Sequence, residues 1–328
     1  MQDKSVWGMI KETVKQFSEH RVLRLAAATA YYAAFSIAPL LVLVVGLAGL
    51  AFGEQRVQQE VQRQVQSFVG EKSAQLIGSM MGAQQKGGSL VATIVGGAAL
   101  VLGATGVFGQ LQDSLNTIWG VTTKPGESVM ALIRDRIFSM AMVVVIGFLL
   151  LVSMALTMFV NAFADHLSNI LSLPPWLVPV GNALLSFVVI ALLFAVIFKV
   201  LPDVRIRWRE VWVGAIGTAL LFTGGKYLLG LYMAHELSAS AYGTGSAFVV
   251  ILLYVYYSSV ILYFGAEFTQ VQTRGRGGLL EPSKYAVRLT DHDRIQQGIP
   301  TDEHIQAAAR RQQQRSGEPP DEQHRKAA

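Results

Sequence analysis

The sequence predicts an all-α polytopic membrane protein with six transmembrane helices and both termini on the cytoplasmic side. Three observations lead there. Only 15% of the 328 residues are charged while 52% are hydrophobic, against about a quarter charged in an ordinary soluble domain. The apolar residues gather into six long runs. Lysine and arginine fall almost entirely on one side of those runs.

A helix rises ~1.5 Å per residue, so a hydrocarbon core ~30 Å thick needs about 20 apolar residues. Stretches 25–52, 90–111, 137–160, 176–200, 208–233 and 245–271 meet that requirement. The second is diluted by Gly96, Gly97, Gly103, Gly106 and Gly109. The first begins only after a charged, amphipathic segment and is longer than the core of a cleavable signal, so it reads as a retained signal-anchor helix. Together the six define a membrane domain over 25–271.

Orientation follows from charge. The N-terminal segment, the loops after spans two and four, and the segment after residue 271 hold 22 of the lysines and arginines. The opposite side holds four, all between spans one and two, and Lys226 falls inside span five. Basic residues mark cytoplasmic loops, so both ends are placed inside. The same bias accounts for the pI of about 9.4 without any nucleic-acid partner.

Three segments flank the spans. Residues 1–24 place Trp7, Ile10, Val14 and Phe17 at three- and four-residue spacing, as in an amphipathic helix on the inner surface. Residues 54–86 repeat that spacing through Val57, Val61, Val65, Phe68, Val69, Ile77, Met80 and Met81. This Gln-rich extracytoplasmic segment suits a position on the membrane or over a vestibule. Residues 272–328 are polar and are expected to form a mobile cytoplasmic tail, with a short helix after Thr301.

Ordered motifs punctuate this frame. Span one opens with the run from Ala26 to Leu40, AAATAYYAAFSIAPL, and Ser114-Leu115-Asn116-Thr117-Ile118-Trp119 follows span two. Leu201-Pro202-Asp203-Val204 precedes Trp208. Tyr242-Gly243-Thr244-Gly245-Ser246 opens span six, which ends Tyr263-Phe264-Gly265-Ala266-Glu267. The series resembles the YihY/BrkB family of bacterial inner-membrane proteins over residues 6–271. That resemblance implies a six-helix protein of the bacterial cytoplasmic membrane. Some members of the family carry a ribonuclease BN label. A metal-dependent nuclease needs clustered ligands, whereas the six histidines are scattered over loops and tail, with no ligand pair on one helix face. No nucleophile–base constellation, P-loop or phosphate-cradling glycine motif is present, and there is no cysteine. No catalytic residue, metal or cofactor is therefore expected, and the chain is read as a non-enzyme.

Ionisable groups within a bilayer are expensive and point to function unless they snorkel or pair at the interface. Lys226 lies about 27 Å into span five, and Glu267 near the cytoplasmic end of span six. Their depths oppose a mutual ion pair, so Glu267 is expected to meet Arg21, Arg24, Arg134 or Arg136. An inner polar surface is expected from Thr29, Tyr32 and Ser36 of span one, Asp113 after span two, and Tyr256, Ser259, Tyr263 and Glu267 of span six. An outer one would use Ser153, Thr157, Asn161, Asn182, Ser186 and Lys226. Pro39, Gly103, Gly224 and Gly225 would permit bending or close approach. Small residues at Ala26, Ala30 and Ala34, or Gly46, Gly49 and Gly53, suit either a homo-oligomer contact or an internal one.

If the two surfaces line vestibules, the chain is a transporter or exporter, and few buried charges beside a Tyr- and Phe-rich span six favour a lipid or envelope amphiphile as cargo. Glu267 would then be the proton-titrating group. If the polar groups and glycines only glue helices, the chain is a membrane scaffold for envelope partners. A ribonuclease is the third reading.

Overall fold

The structure, a computed structural model, describes residues 6–85, 106–124, 177–236, 245–275, 281–284 and 286–290. The expected third span and most of the second lie outside the described residues.

Helix α1 (Val6–Glu19) is followed by a tight joint and then α2 (Val22–Phe52), 31 residues of uninterrupted helix that include Pro39. Arg21 forms the joint in the left-handed region, φ 51°, a conformation a non-glycine residue holds only when its surroundings keep it there. Gly53 and Gly70, at φ 87° and 84°, end α2 and then α3 (Glu54–Val69), and α4 (Glu71–Gln85) folds back on α3. Helix α5 (106–119) leads into strand β1 (Val121–Thr123). Helix α6 (Leu177–Val200), strand β2 (Val204–Arg205), α7 (Trp208–Glu236) and α8 (Gly245–Gly275) follow, then β3 (Glu281–Pro282) and β4 (Ala286–Arg288).

Among the described residues, Pro179–Val200 and Phe248–Gly275 are long and apolar enough to cross a bilayer. Helices α2 and α7, of 31 and 29 residues, exceed the length a ~30 Å core requires.

Helix α8 is the hub, packing against α2, α7 and α1. Its contact with α7 is closest at two reciprocal points. A Cβ at Gly214 would lie 1.7 Å from Thr269 Oγ1, and one at Gly265 would lie 1.8 Å from Thr218 Oγ1. Each threonine also donates to the carbonyl of the glycine four residues earlier on its own helix, at 2.7 Å. Two Gly-x-x-x-Thr turns are thus interlocked antiparallel, the small-residue packing on which membrane helices rely.

Ala26 and Ala30 are buried within the bundle, and Gly49 packs against Glu54 at the α2–α3 turn. These small residues serve internal contacts. The main core lies where the α1–α2 joint, α5, the end of α6, the start of α7 and the end of α8 converge on Trp119, Phe198 and Tyr263. A second cluster turns Val57 of α3 and Ile77 of α4 onto Val45 and Ile251, so the amphipathic face of the α3–α4 hairpin packs on the bundle itself.

The segment expected to be mobile beyond residue 271 differs in its first part. Helix α8 continues to Gly275, with Gln272 and Thr273 buried. Strand β3 then pairs antiparallel with β2 (Val204↔Pro282), and β4 with β1 (Val121↔Arg288). Buried Val204, Val121 and Ala286 anchor these ladders, and Leu289 N–H donates to Gly120 O at 2.9 Å. Strands of two or three residues carry too little alternation to be read from sequence.

Candidate functional site

Glu267 is fully buried, and His20 is 4% exposed. His20 Nδ1 and Glu267 Oε1 are 2.6 Å apart. Of the arginines expected to meet Glu267, Arg21 and Arg24 are exposed, and Arg134 and Arg136 lie outside the described residues. The physical reason is the joint. Its left-handed turn at Arg21 directs the guanidinium outward and leaves the preceding histidine facing α8. His20 continues the three- and four-residue spacing that runs through Phe17, and that spacing is the sequence signal for it.

The expected amphipathic face of α1 is accordingly split. Thr13, Phe17 and His20 turn inward, whereas Trp7 and Val14 are 75% and 54% exposed. Phe17 packs edge-on against Phe264, centroids 6.0 Å apart.

Above this pair, Thr29 Oγ1 and Tyr263 Oη form a 2.5 Å hydrogen bond, with Ser114 a further partner of Tyr263. The structure therefore brings together Thr29, Tyr263 and Glu267 of the expected inner surface. Ser36 and Ser259 are buried and bond back to the carbonyls of Tyr32 and Val255 on their own helices. Tyr256 packs against the core. Tyr32 is partly solvent-facing, with its ring against Gly106 of α5. Asp113 keeps an exposed surface, yet the protein packed around it pushes its carboxyl above the ordinary carboxylate value through desolvation.

Of the expected outer surface, Asn182 and Lys226 are half-buried and Ser186 exposed, on α6 and α7; Ser153, Thr157 and Asn161 lie outside the described residues, as does Gly103. Helix α7 runs through Gly224 and Gly225 without a break. Gly225 is a close approach, since a Cβ there would meet Tyr257 Oη at 1.9 Å.

Beside that approach the α7–α8 seam carries a groove. Leu220, Leu221, Gly224 and Leu228 of α7 face Tyr257, Val260, Ile261 and Phe264 of α8 across an open groove of about 460 Å³, with Phe17 of α1 in its lining. Its walls are almost wholly apolar. A second cleft of about 270 Å³, between α3 and α4, is lined instead by Gln59, Gln62, Gln66, Gln75, Arg63 and Glu71.

Asn116 and Asp203, which belong to two of the sequence motifs, meet in the structure. Their side chains are hydrogen-bonded at 3.0 Å, and Gln112 donates to the same Asp203 oxygen at 3.1 Å. Among the described residues no group of three or more histidines or carboxylates could hold a metal ion.

A sequence profile of the family described as Virulence factor BrkB matches residues 13–288, reaching into the β3–β4 segment. The chain is 25% identical over 269 residues to a UPF0761 membrane protein of Delftia acidovorans, covering 80% of this chain and 62% of that one. It is 24% identical over 264 residues to the UPF0761 membrane protein MS0032 of Mannheimia succiniciproducens, covering 78% and 86%. A UPF0761 membrane protein of Tolumonas auensis is 32% identical over 102 residues, 31% of this chain and 30% of that one. The matched region thus spans less than two thirds of the Delftia and Tolumonas relatives. No solved structure matches the chain. With the profile covering most of its length and these relatives alongside, the chain belongs to the YihY/BrkB family of membrane proteins.

Proposed function

We propose that this protein is a transporter or exporter of a lipid or envelope amphiphile in the bacterial cytoplasmic membrane, crossing it six times with both termini inside. The α7–α8 groove would receive the apolar part of the cargo. That groove is the observation that carries the reading. Its volume of about 460 Å³ falls within the range of small-ligand sites, ~300–1,000 Å³. Its walls offer leucine, isoleucine and phenylalanine rather than charge, and such a lining selects a chain or ring over an ion. Glu267, with His20 beside it, is the group proposed to exchange a proton during turnover.

A scaffold is the second reading. It draws support from the amide-lined cleft of the α3–α4 hairpin, a surface suited to polar partners. Reconstitution with a panel of phospholipids and small amphiphiles separates the two. Saturable binding or flux is the result expected of a transporter. Neither binding nor flux, with envelope proteins co-purifying stoichiometrically, would favour the scaffold.

A further inference from the structure

We infer that the His20–Glu267 hydrogen bond sets the position of Phe17 in the apolar groove, so that α1 is a movable wall of that groove. The inference rests on the reading of the groove as an amphiphile site and names what controls access to it.

Two contacts with matching spacing tie α1 to α8. Phe17 meets Phe264, and three residues further along both segments His20, just past the end of α1, meets Glu267. The His20 N–H still donates to Gln16 O of α1 at 2.8 Å, so the two contacts are carried by one last helical turn and shift together. Phe17 lines the groove, whereas His20 and Glu267 lie beyond its lining. The polar pair therefore holds an apolar wall in place from outside the site.

The pair has the character of a releasable tie. Glu267 is fully buried, and among the described residues its second oxygen, Oε2, has no hydrogen-bond partner. Among the described residues the bond to Oε1 is the hydrogen bond this carboxyl receives, and a buried acidic group is sensitive to the loss of such a bond. Glu19 and Arg274 also act on Glu267 through space, with opposite signs. On its far side α1 presents Trp7, Ile10 and Val14 outward. Its joint to α2 is the left-handed Arg21, a point where a small torsional change redirects a whole helix. An elongated apolar cargo entering along Leu221 and Ile261 would press on Phe17 and, through it, on the tie.

The test uses the full chain in phosphatidylcholine vesicles doped with a diazirine-bearing phosphatidylcholine, with two readouts. Hydrogen exchange follows the α1 amides, and mass spectrometry follows labelling of peptides bearing Leu221 and Ile261. His20→Ala is expected to speed α1 exchange about tenfold and to raise groove labelling severalfold. The double variant H20Q/E267Q, which replaces the tie with an uncharged amide pair, is expected to return both readouts towards wild type. Phe17→Ala, which leaves the pair intact, should raise labelling without loosening α1. Should His20→Ala fail to fold, His20→Gln carries the same comparison. Unchanged α1 exchange in the His20 variants, with the groove still labelled, overturns the inference and leaves the groove reading standing. Faster α1 exchange with no groove labelling in any variant overturns the groove reading, and with it Phe17's role as its wall.

Discussion

Asn116 and Asp203 are joined by two hydrogen bonds running in opposite directions: Asn116 Nδ2 donates to Asp203 Oδ2 at 3.0 Å, and the Asp203 backbone N–H donates to Asn116 Oδ1 at 2.8 Å. The carbonyl of Asp203 also accepts from Ser283 N–H at 2.8 Å. One aspartate thereby links the end of α5, the α6–α7 loop and the chain after α8. Asn116→Ala removes both bonds of a buried amide and is expected to lower stability by about 2 kcal/mol, and Gln112→Ala by less than about 1 kcal/mol. Thermal unfolding in detergent measures both. Asn116→Asp, which sets two carboxylates together, should be worse than Asn116→Ala.

The interlocked glycines of α7 and α8 make a sharper case. Gly214→Ala and Gly265→Ala each drive a methyl group into a threonine on the opposite helix, and each should cost about 1–3 kcal/mol. In the double variant G214A/T269A the obstructing side chain is cut back as well. Its loss should be smaller than that of Gly214→Ala alone, a coupling that a double-mutant cycle reads directly.

The bond between Thr29 and Tyr263 joins the opening motif of span one to the closing motif of span six. Tyr263→Phe and Thr29→Val should each destabilise by about 1 kcal/mol. Together they should cost less than the sum of the two, since each removes a partner the other would leave unsatisfied. Additive losses in the cycle would mean the bond contributes nothing.

Strands β3 and β4 close the same end of the molecule. Truncation after residue 280 should lower the unfolding temperature and expose the amides of Val121–Thr123 to exchange, because their ladder with Ala286–Arg288 is gone. Ala286→Asp, which puts an unpaired charge at a buried position, should reproduce much of that loss at full length.

How far the sequence was legible depends on the range of the interaction. The long apolar runs anticipated α2, α6, α7 and α8 to within a few residues, because length and hydropathy are local properties. The stripe Tyr256–Ser259–Tyr263–Glu267 was visible as a helical period, and Thr29 was placed with it. The partner of Glu267 was not. His20 lies 247 positions away, and charge alone favours an arginine, whereas at the Arg21 joint both Arg21 and Arg24 are exposed. Phe17 was grouped with Trp7, Ile10 and Val14 because their spacing is shared, and only packing on α8 separates them. The groove is not a local property of either helix: it arises along the α7–α8 seam, where Gly225 admits Tyr257 and the leucines on either side of it leave a gap.

If this groove takes the apolar part of a transported amphiphile, Gly224 is the wall residue whose enlargement should block it. Gly224 is exposed in the groove wall, with nothing within 4 Å of where a Cβ would stand, so Gly224→Phe starts a bulky side chain from an open position in that wall. A helical glycine replaced by a larger residue is not expected to destabilise α7. Flux of a fluorescent phospholipid should be measured in proteoliposomes of wild type and G224F matched for unfolding temperature. A fall of at least about tenfold, equivalent to ~1.4 kcal/mol in the transport barrier, is the predicted result. Robust wild-type flux that survives Gly224→Phe unchanged would contradict it.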